Sequence, residues 1–165
     1  MKIKIVVTLL LLMPVFAKAQ HFKLIKPNIE ALNAELEENN YSQNIVYLYL
    51  IKNYKTISEK YNTKKNDFPD YEVCAFNQKF EKNILYWEEQ CGEATGIKSK
   101  LTLPKSDKAS VIEWVEMIFN SSPMDIKHGW NTKQTKFGPT DDGAGCYFEI
   151  IETKTNTIID MFCGC

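Results

Sequence analysis

His128 with Asp141 or Asp142 is one set of side chains in this sequence whose types suit acid–base chemistry: an imidazole that changes charge near neutral pH and a carboxylate able to orient it. They belong to a stretch, 121 to 145, that shows little hydrophobic periodicity and also carries Trp130 and Phe137. Loops longer than ~15 residues are uncommon in compact domains and often bind something. Aromatic rings beside acids suit a sugar, a peptide or a protein surface, so His128, Trp130, Phe137, Asp141 and Asp142 form the candidate binding set. The plainer alternatives tuck Trp130 and Phe137 under the loop as pins, or hide a strand around 125 to 129.

Other chemistries fit less well. A thiol enzyme needs a cysteine with a histidine beside it in space, and Cys74 or Cys91 with His128 supplies the residue types without a nucleophile signature. The serine elbow Gly-x-Ser-x-Gly does not occur. Glu37-Glu38 and Glu88-Glu89 would point apart on helices, as solvated faces do, rather than stand across a bond as a pair of acids. Asp141-Asp142-Gly143-Ala144-Gly145 lacks the alternating oxygen ligands of a calcium loop and reads as a turn into a strand. Neither His21 nor His128 stands at zinc-ligand spacing from a cysteine pair. The sequence therefore assigns no catalytic residue, no metal and no cofactor.

The five cysteines carry a different chemistry. Two β-rich runs, 146 to 152 and 157 to 163, flank the polar tetrad Thr153-Lys154-Thr155-Asn156 and predict a C-terminal hairpin. With Glu152 opposite Thr157, Ile150 faces Ile159, Phe148 faces Met161 and Cys146 faces Cys163, which makes one side wholly apolar. The reverse side carries Tyr147, Glu149 and Ile151 against Ile158, Asp160 and Phe162, a mixed surface that a loop or a partner could half cover. Burial sets this register, because a slip of one residue would put Asp160 inside. Directly opposed residues have Cα separations that a disulfide spans, so Cys146–Cys163 is the expected bridge, with Cys165 pointing to the same side. Cys74 and Cys91 fall on one expected helix, roughly 25 Å apart at its rise per residue, and are not expected to bridge each other.

Disulfides need an oxidising compartment, and the start of the chain reads as an address to one. Lys2 and Lys4 precede an apolar run and Ala17-Lys18-Ala19, the pattern of a secretory signal over 1–19. The run is shorter than the ~20 residues of a membrane span and contains Pro14, so no span is expected after cleavage. The product, 20–165, has the size of a single domain. All 20 basic residues are Lys, and the product keeps 17 of them against 21 acids, a charge of −4. That balance argues against nucleic acid as a partner, which calls for a basic face and usually for arginine forks.

Four helices are expected to support these residues. Ile29, Leu32 and Leu36 mark the first, and a second, 43 to about 61, carries Val46, Leu50, Tyr54, Ile57 and Tyr61 behind a Ser42 cap. A third, beginning near Asp67 or Asp70, places Val73, Phe76 or Asn77, Phe80, Ile84, Trp87 and Cys91 on one stripe and stops at Gly92. Residues 97 to 103 read as an edge strand beside the hairpin, and Ser106 or Asp107 caps a fourth helix with Val111, Trp114 or Val115, and Ile118 inward. The fold class is α+β, about four helices on one face of a small antiparallel sheet that includes the hairpin, without an internal sequence repeat. The expected function is that of a small secreted or periplasmic binding protein, more an inhibitor or immunity-type protein acting on another protein than an enzyme. The alternative is a secreted hydrolase using His128 with Asp141 or Asp142. N-terminal sequencing of exported material is expected to begin at Gln20, and recovery of Met1 would remove the signal from the account.

Overall fold

Two asparagines start the first two helices, and two tyrosines fix where the second one ends. In the computed structural model, which describes residues 21–41, 43–64, 74–91, 96–120, 126–129, 135–139 and 145–164, α1 (Ile29–Glu38) opens where the Asn28 side chain accepts the Ala31 amide. α2 (Ile45–Asn53) opens where the Asn44 side chain accepts Val46 N–H at 2.9 Å. Five successive residues of α2, Val46 to Leu50, are buried, as in a helix covered on more than one side. It is shorter than the expected 43 to 61 because Tyr54 leaves the helix in an extended conformation. There its hydroxyl accepts Ile25 N–H at 2.9 Å while Tyr49 donates to the Ile25 carbonyl at 2.6 Å. The two hydroxyls clamp the entering chain, and Ile57 and Tyr61, expected inward, are 59% and 69% exposed.

Eight strands follow around one further helix: β1 (Tyr61–Lys64), β2 (Ala75–Phe80), β3 (Ile84–Glu89), β4 (Ile97–Pro104), α3 (Lys108–Asn120), β5 (Ile126–Gly129), β6 (Lys136–Pro139), β7 (Gly145–Glu152) and β8 (Asn156–Gly164). They form a single antiparallel sheet in the order β1-β2-β3-β4-β8-β7-β6-β5. The topology is duplicated although the sequence is not. In each half a helix, α2 or α3, leads into a four-stranded meander, and the last strands of the two meanders, β4 and β8, pair side by side. The helices bury one face of this sheet in a single core that joins Leu36, Tyr49 and Trp114 to Phe80, Tyr86, Leu101, Ile159 and Met161. None of the described helices is long and apolar enough to cross a membrane.

The C-terminal hairpin has the expected register, with Cys146 opposite Cys163, Phe148 opposite Met161, Ile150 opposite Ile159 and Glu152 opposite Thr157. The Cys146–Cys163 bridge is formed. α3 also has the expected cap, Asp107 accepting Ser110 N–H at 3.0 Å, and buries Val111, Trp114, Val115 and Ile118.

The expected third helix is a correction: among its described residues the chain is the β2–β3 hairpin, so the architecture has three helices rather than about four. Phe76, Phe80 and Ile84 are four apart, a spacing that keeps residues on one face in a helix and in a strand alike. Lys82 and Asn83 decide between the two, since both adopt positive φ (57° and 58°), as the central pair of a tight hairpin turn does. Folding back brings Cys74 and Cys91 to a Cα separation of 4.8 Å, and they form the second disulfide that a straight helix would forbid. The run 97 to 103 lies beside the hairpin as expected but in the sheet interior, paired to β3 as well as to β8. Gly96, at φ 72°, lets β4 start there, since a Cβ would stand 2.4 Å from the Cys163 carbonyl oxygen. The stretch 121 to 145 is not one long loop, for it contains β5 and β6.

Each bridge spans a sequence separation of 17. Replacing either cysteine pair by serine is expected to cost about 3 kcal/mol by the chain-entropy estimate, measured by urea unfolding. Non-reducing peptide maps should recover 74 linked to 91 and 146 linked to 163.

Candidate functional site

Because opposed residues in an antiparallel sheet share a face, the ladders can be read across the sheet on the side away from the helices. One transverse row runs Tyr61, Asn77, Trp87, Lys100, Asp160, Glu149, Lys136 through seven strands. On one side of it lies the row Glu89, Lys98, Phe162, Tyr147, and on the other Leu85, Thr102, Ile158, Ile151. The central row joins Trp87 to four charges, Lys100, Asp160, Glu149 and Lys136, and the flanking rows carry Phe162 and Tyr147 on one side and Leu85, Ile158 and Ile151 on the other. Trp87, Tyr147 and Phe162 are each partly exposed, and the Tyr147 and Phe162 rings lie 6.2 Å apart at a tilt of 35°. A shallow, open hollow of about 500 Å³ lies over these residues and Lys98, Glu149 and Asp160.

The charges of the central row are arranged at some expense to the monomer. Lys100 pairs with Asp160 at 3.2 Å and Lys136 with Glu149 at 3.6 Å, all four side chains near half exposure. Such surface pairs are worth about 0–1 kcal/mol. Asp160 and Glu149 stand directly opposite one another, where like charges cost a similar amount.

The residues expected to bind distribute differently. Phe137 is 1% exposed, opposite Phe148 on the covered side, so it belongs to the core and the reading that tucks it inward holds. His128 lies in β5, the outermost strand, whose backbone alone is described. Trp130, Asp141 and Asp142 lie outside the described residues, as do the signal segment and Cys165, and the expected Ser42 cap is replaced by Asn44, because the second helix starts only at Ile45. Among the described residues no group of three or more His, Cys, Asp or Glu could hold a metal ion. Tyr147, Glu149, Asp160 and Phe162 were visible in the sequence as the reverse side of the hairpin. Trp87, Lys98, Lys100 and Lys136 were not assigned there. Trp87 is an odd-numbered neighbour of Ile84 and Tyr86, and only strand alternation, not helical spacing, turns it outward.

A second polar cluster lies on the covered side of β2 and β3. The fully buried Tyr86 hydroxyl donates to the Glu88 carboxylate at 2.5 Å, and Tyr47 donates to Gln78 Oε1 at 2.8 Å. Burial pushes the Glu88 carboxyl above its ordinary range, opposed by the Tyr86 hydrogen bond and the Lys60 charge. Burial first, and the Glu88 charge second, push both tyrosine hydroxyls upward.

No protein-family model, curated protein or solved structure matches this chain.

The folded chain holds the Glu88 proton more tightly than the unfolded chain does. The corresponding stability is fully present below the unfolded pKa and is lost as pH rises through the raised folded one. Glu88→Gln retains an acceptor for Tyr86 without the charge. Its unfolding free energy is expected to match the wild type near pH ~4 and to exceed it increasingly toward neutrality. Urea melts across that range check this, and a difference that does not change with pH would contradict it.

Proposed function

We propose that this chain is a small exported binding protein without catalytic activity, of the inhibitor or immunity type, which engages another protein through the open face of its sheet. The observation that carries the reading is the placement of Trp87, Tyr147 and Phe162, partly exposed, around a charged row on the side the helices leave uncovered. Tyr, Trp and Phe are enriched in protein interfaces and dominate their energetics. Seven strands at about 4.8 Å spacing give a row about 29 Å wide, on the scale of one side of a standard interface. Two disulfides fit an oxidising, extracellular-type environment, in keeping with an exported product found in the periplasm or outside the cell.

The charge order of the central row favours a partner of different sequence. Lys100, Asp160, Glu149, Lys136 reads the same from both ends. Two copies stacked face to face in register about a two-fold axis would therefore set each charge against its own kind, which disfavours self-association through this face.

The test uses immobilised protein exposed to periplasmic or culture extract, followed by reconstitution with the purified captured component. Trp87→Ala and Phe162→Ala are each expected to weaken the reconstituted complex by about 2 kcal/mol, close to thirtyfold in dissociation constant, with far-UV circular dichroism unchanged. A complex that both variants form at wild-type affinity would rule this face out.

A further inference from the structure

Independently of that face, Tyr47, Phe76 and Tyr86 pack as three mutually contacting rings with centroids 5.4 to 6.0 Å apart. The Lys60 ammonium stands over two of them, 4.4 Å from the Tyr47 centroid and 4.3 Å from that of Phe76. Glu88 stands directly opposite Phe76 in the β2–β3 ladder and accepts the Tyr86 hydroxyl, which places a carboxylate beside the same rings. Lys60 itself is exposed, so the site opens to solvent where the ammonium enters.

The rings do not depend on Lys60 for their positions. Tyr47 is held through its hydroxyl by Gln78, whose amide donates to the Ser58 carbonyl at 3.1 Å. Tyr86 is held by Glu88. Two π faces and a carboxylate, fixed beforehand by hydrogen bonds and packing, make a cation site whose geometry survives removal of the cation. A bare lysine ammonium is strongly hydrated and gains least from such a setting. A methylated ammonium sheds its water more easily and spreads its charge over the ring faces.

We infer that Tyr47, Phe76 and Glu88 form a binding site for a quaternary or methylated ammonium group, and that Lys60 is a tethered occupant an external ligand must displace. A short tether gives Lys60 an effective concentration in the millimolar range, so it competes with free ligand without closing the site permanently. Such a group occurs both in choline-type headgroups and in methylated lysine side chains.

The experiment titrates tetramethylammonium chloride into the full exported chain and follows the ring resonances of Tyr47 and Phe76 by NMR, with sodium chloride at equal ionic strength as reference. Lys60→Ala and Lys60→Gln are expected to show saturable shifts, with the wild type needing about tenfold more ligand. The Lys60→Ala/Glu88→Gln double variant is expected to lose at least about tenfold in affinity relative to Lys60→Ala. Choline and free trimethyllysine, titrated separately, then distinguish the two sources of the group. Lys60→Gln keeps most of the apolar stem, so a folding defect in the alanine variant leaves the test intact. The inference is overturned if neither Lys60 variant shows a saturable shift, if the wild type binds as well as they do, or if Glu88→Gln leaves binding unchanged.

Discussion

Strand β8 carries the mechanical burden of this fold, because it is the last strand in sequence and lies inside the sheet rather than at an edge. It is laddered to β4 from Ile97 opposite Cys163 to Pro104 opposite Asn156, and to β7 from Gly145 opposite Gly164 to Glu152 opposite Thr157. Among the described residues β8 supplies the strand pairing that joins the two meanders, and it brings Ile159 and Met161 to the core. Its pairing with β7 is local and closed by the Cys146–Cys163 bridge. Its pairing with β4 joins residues far apart in the chain, a contact whose loop-closure entropy must be met before the ladder repays it. Covalent chemistry thus secures one local hairpin in each half, β2–β3 through Cys74–Cys91 and β7–β8 through Cys146–Cys163, while the β4–β8 ladder between the halves has no such link.

The same ladder that buries β8 also produces the exposed face. A strand alternates sides at every residue, so Thr157, Ile159 and Met161 cannot face the helices without Ile158, Asp160 and Phe162 facing away. The neighbouring strands repeat this arithmetic, and their outward residues align into transverse rows: Trp87 beside the charges of Lys100, Asp160, Glu149 and Lys136, and Phe162 and Tyr147 beside Glu89 and Lys98. Helices supply all of the observed covering on one side, and these mixed rows make up the other.

The cluster around Glu88 shows a different economy. A carboxylate held partly away from water is tolerated because Tyr86 donates to it and Lys60 balances it, while Tyr47, one of the two rings beneath Lys60, is fixed through Gln78 and Ser58. Burial nevertheless wins over those two favourable contributions, as the upward shift of its carboxyl shows. Like the opposed Asp160 and Glu149, it is a place where the fold accepts a local cost.

Local pattern alone was enough to determine the hairpin from Gly145 to Gly164, its register, its disulfide and the composition of both its faces, because short-range alternation and direct opposition leave one solution that keeps Asp160 out of the core. The same holds for α1 and α3 and for the α+β class, while the structure chose Asp107 over Ser106 as the cap of α3. Tertiary structure decided what local pattern leaves degenerate. Phe76, Phe80 and Ile84 satisfy helix and strand equally, and only positive φ at Lys82 and Asn83, with a pairing partner in β4, selects the strand, joins Cys74 to Cys91 and turns Trp87 outward. The place of Lys100 and Lys136 beside Asp160 and Glu149 likewise depends on which strands become neighbours, and that is settled by the burial of one common face across residues distant in the chain.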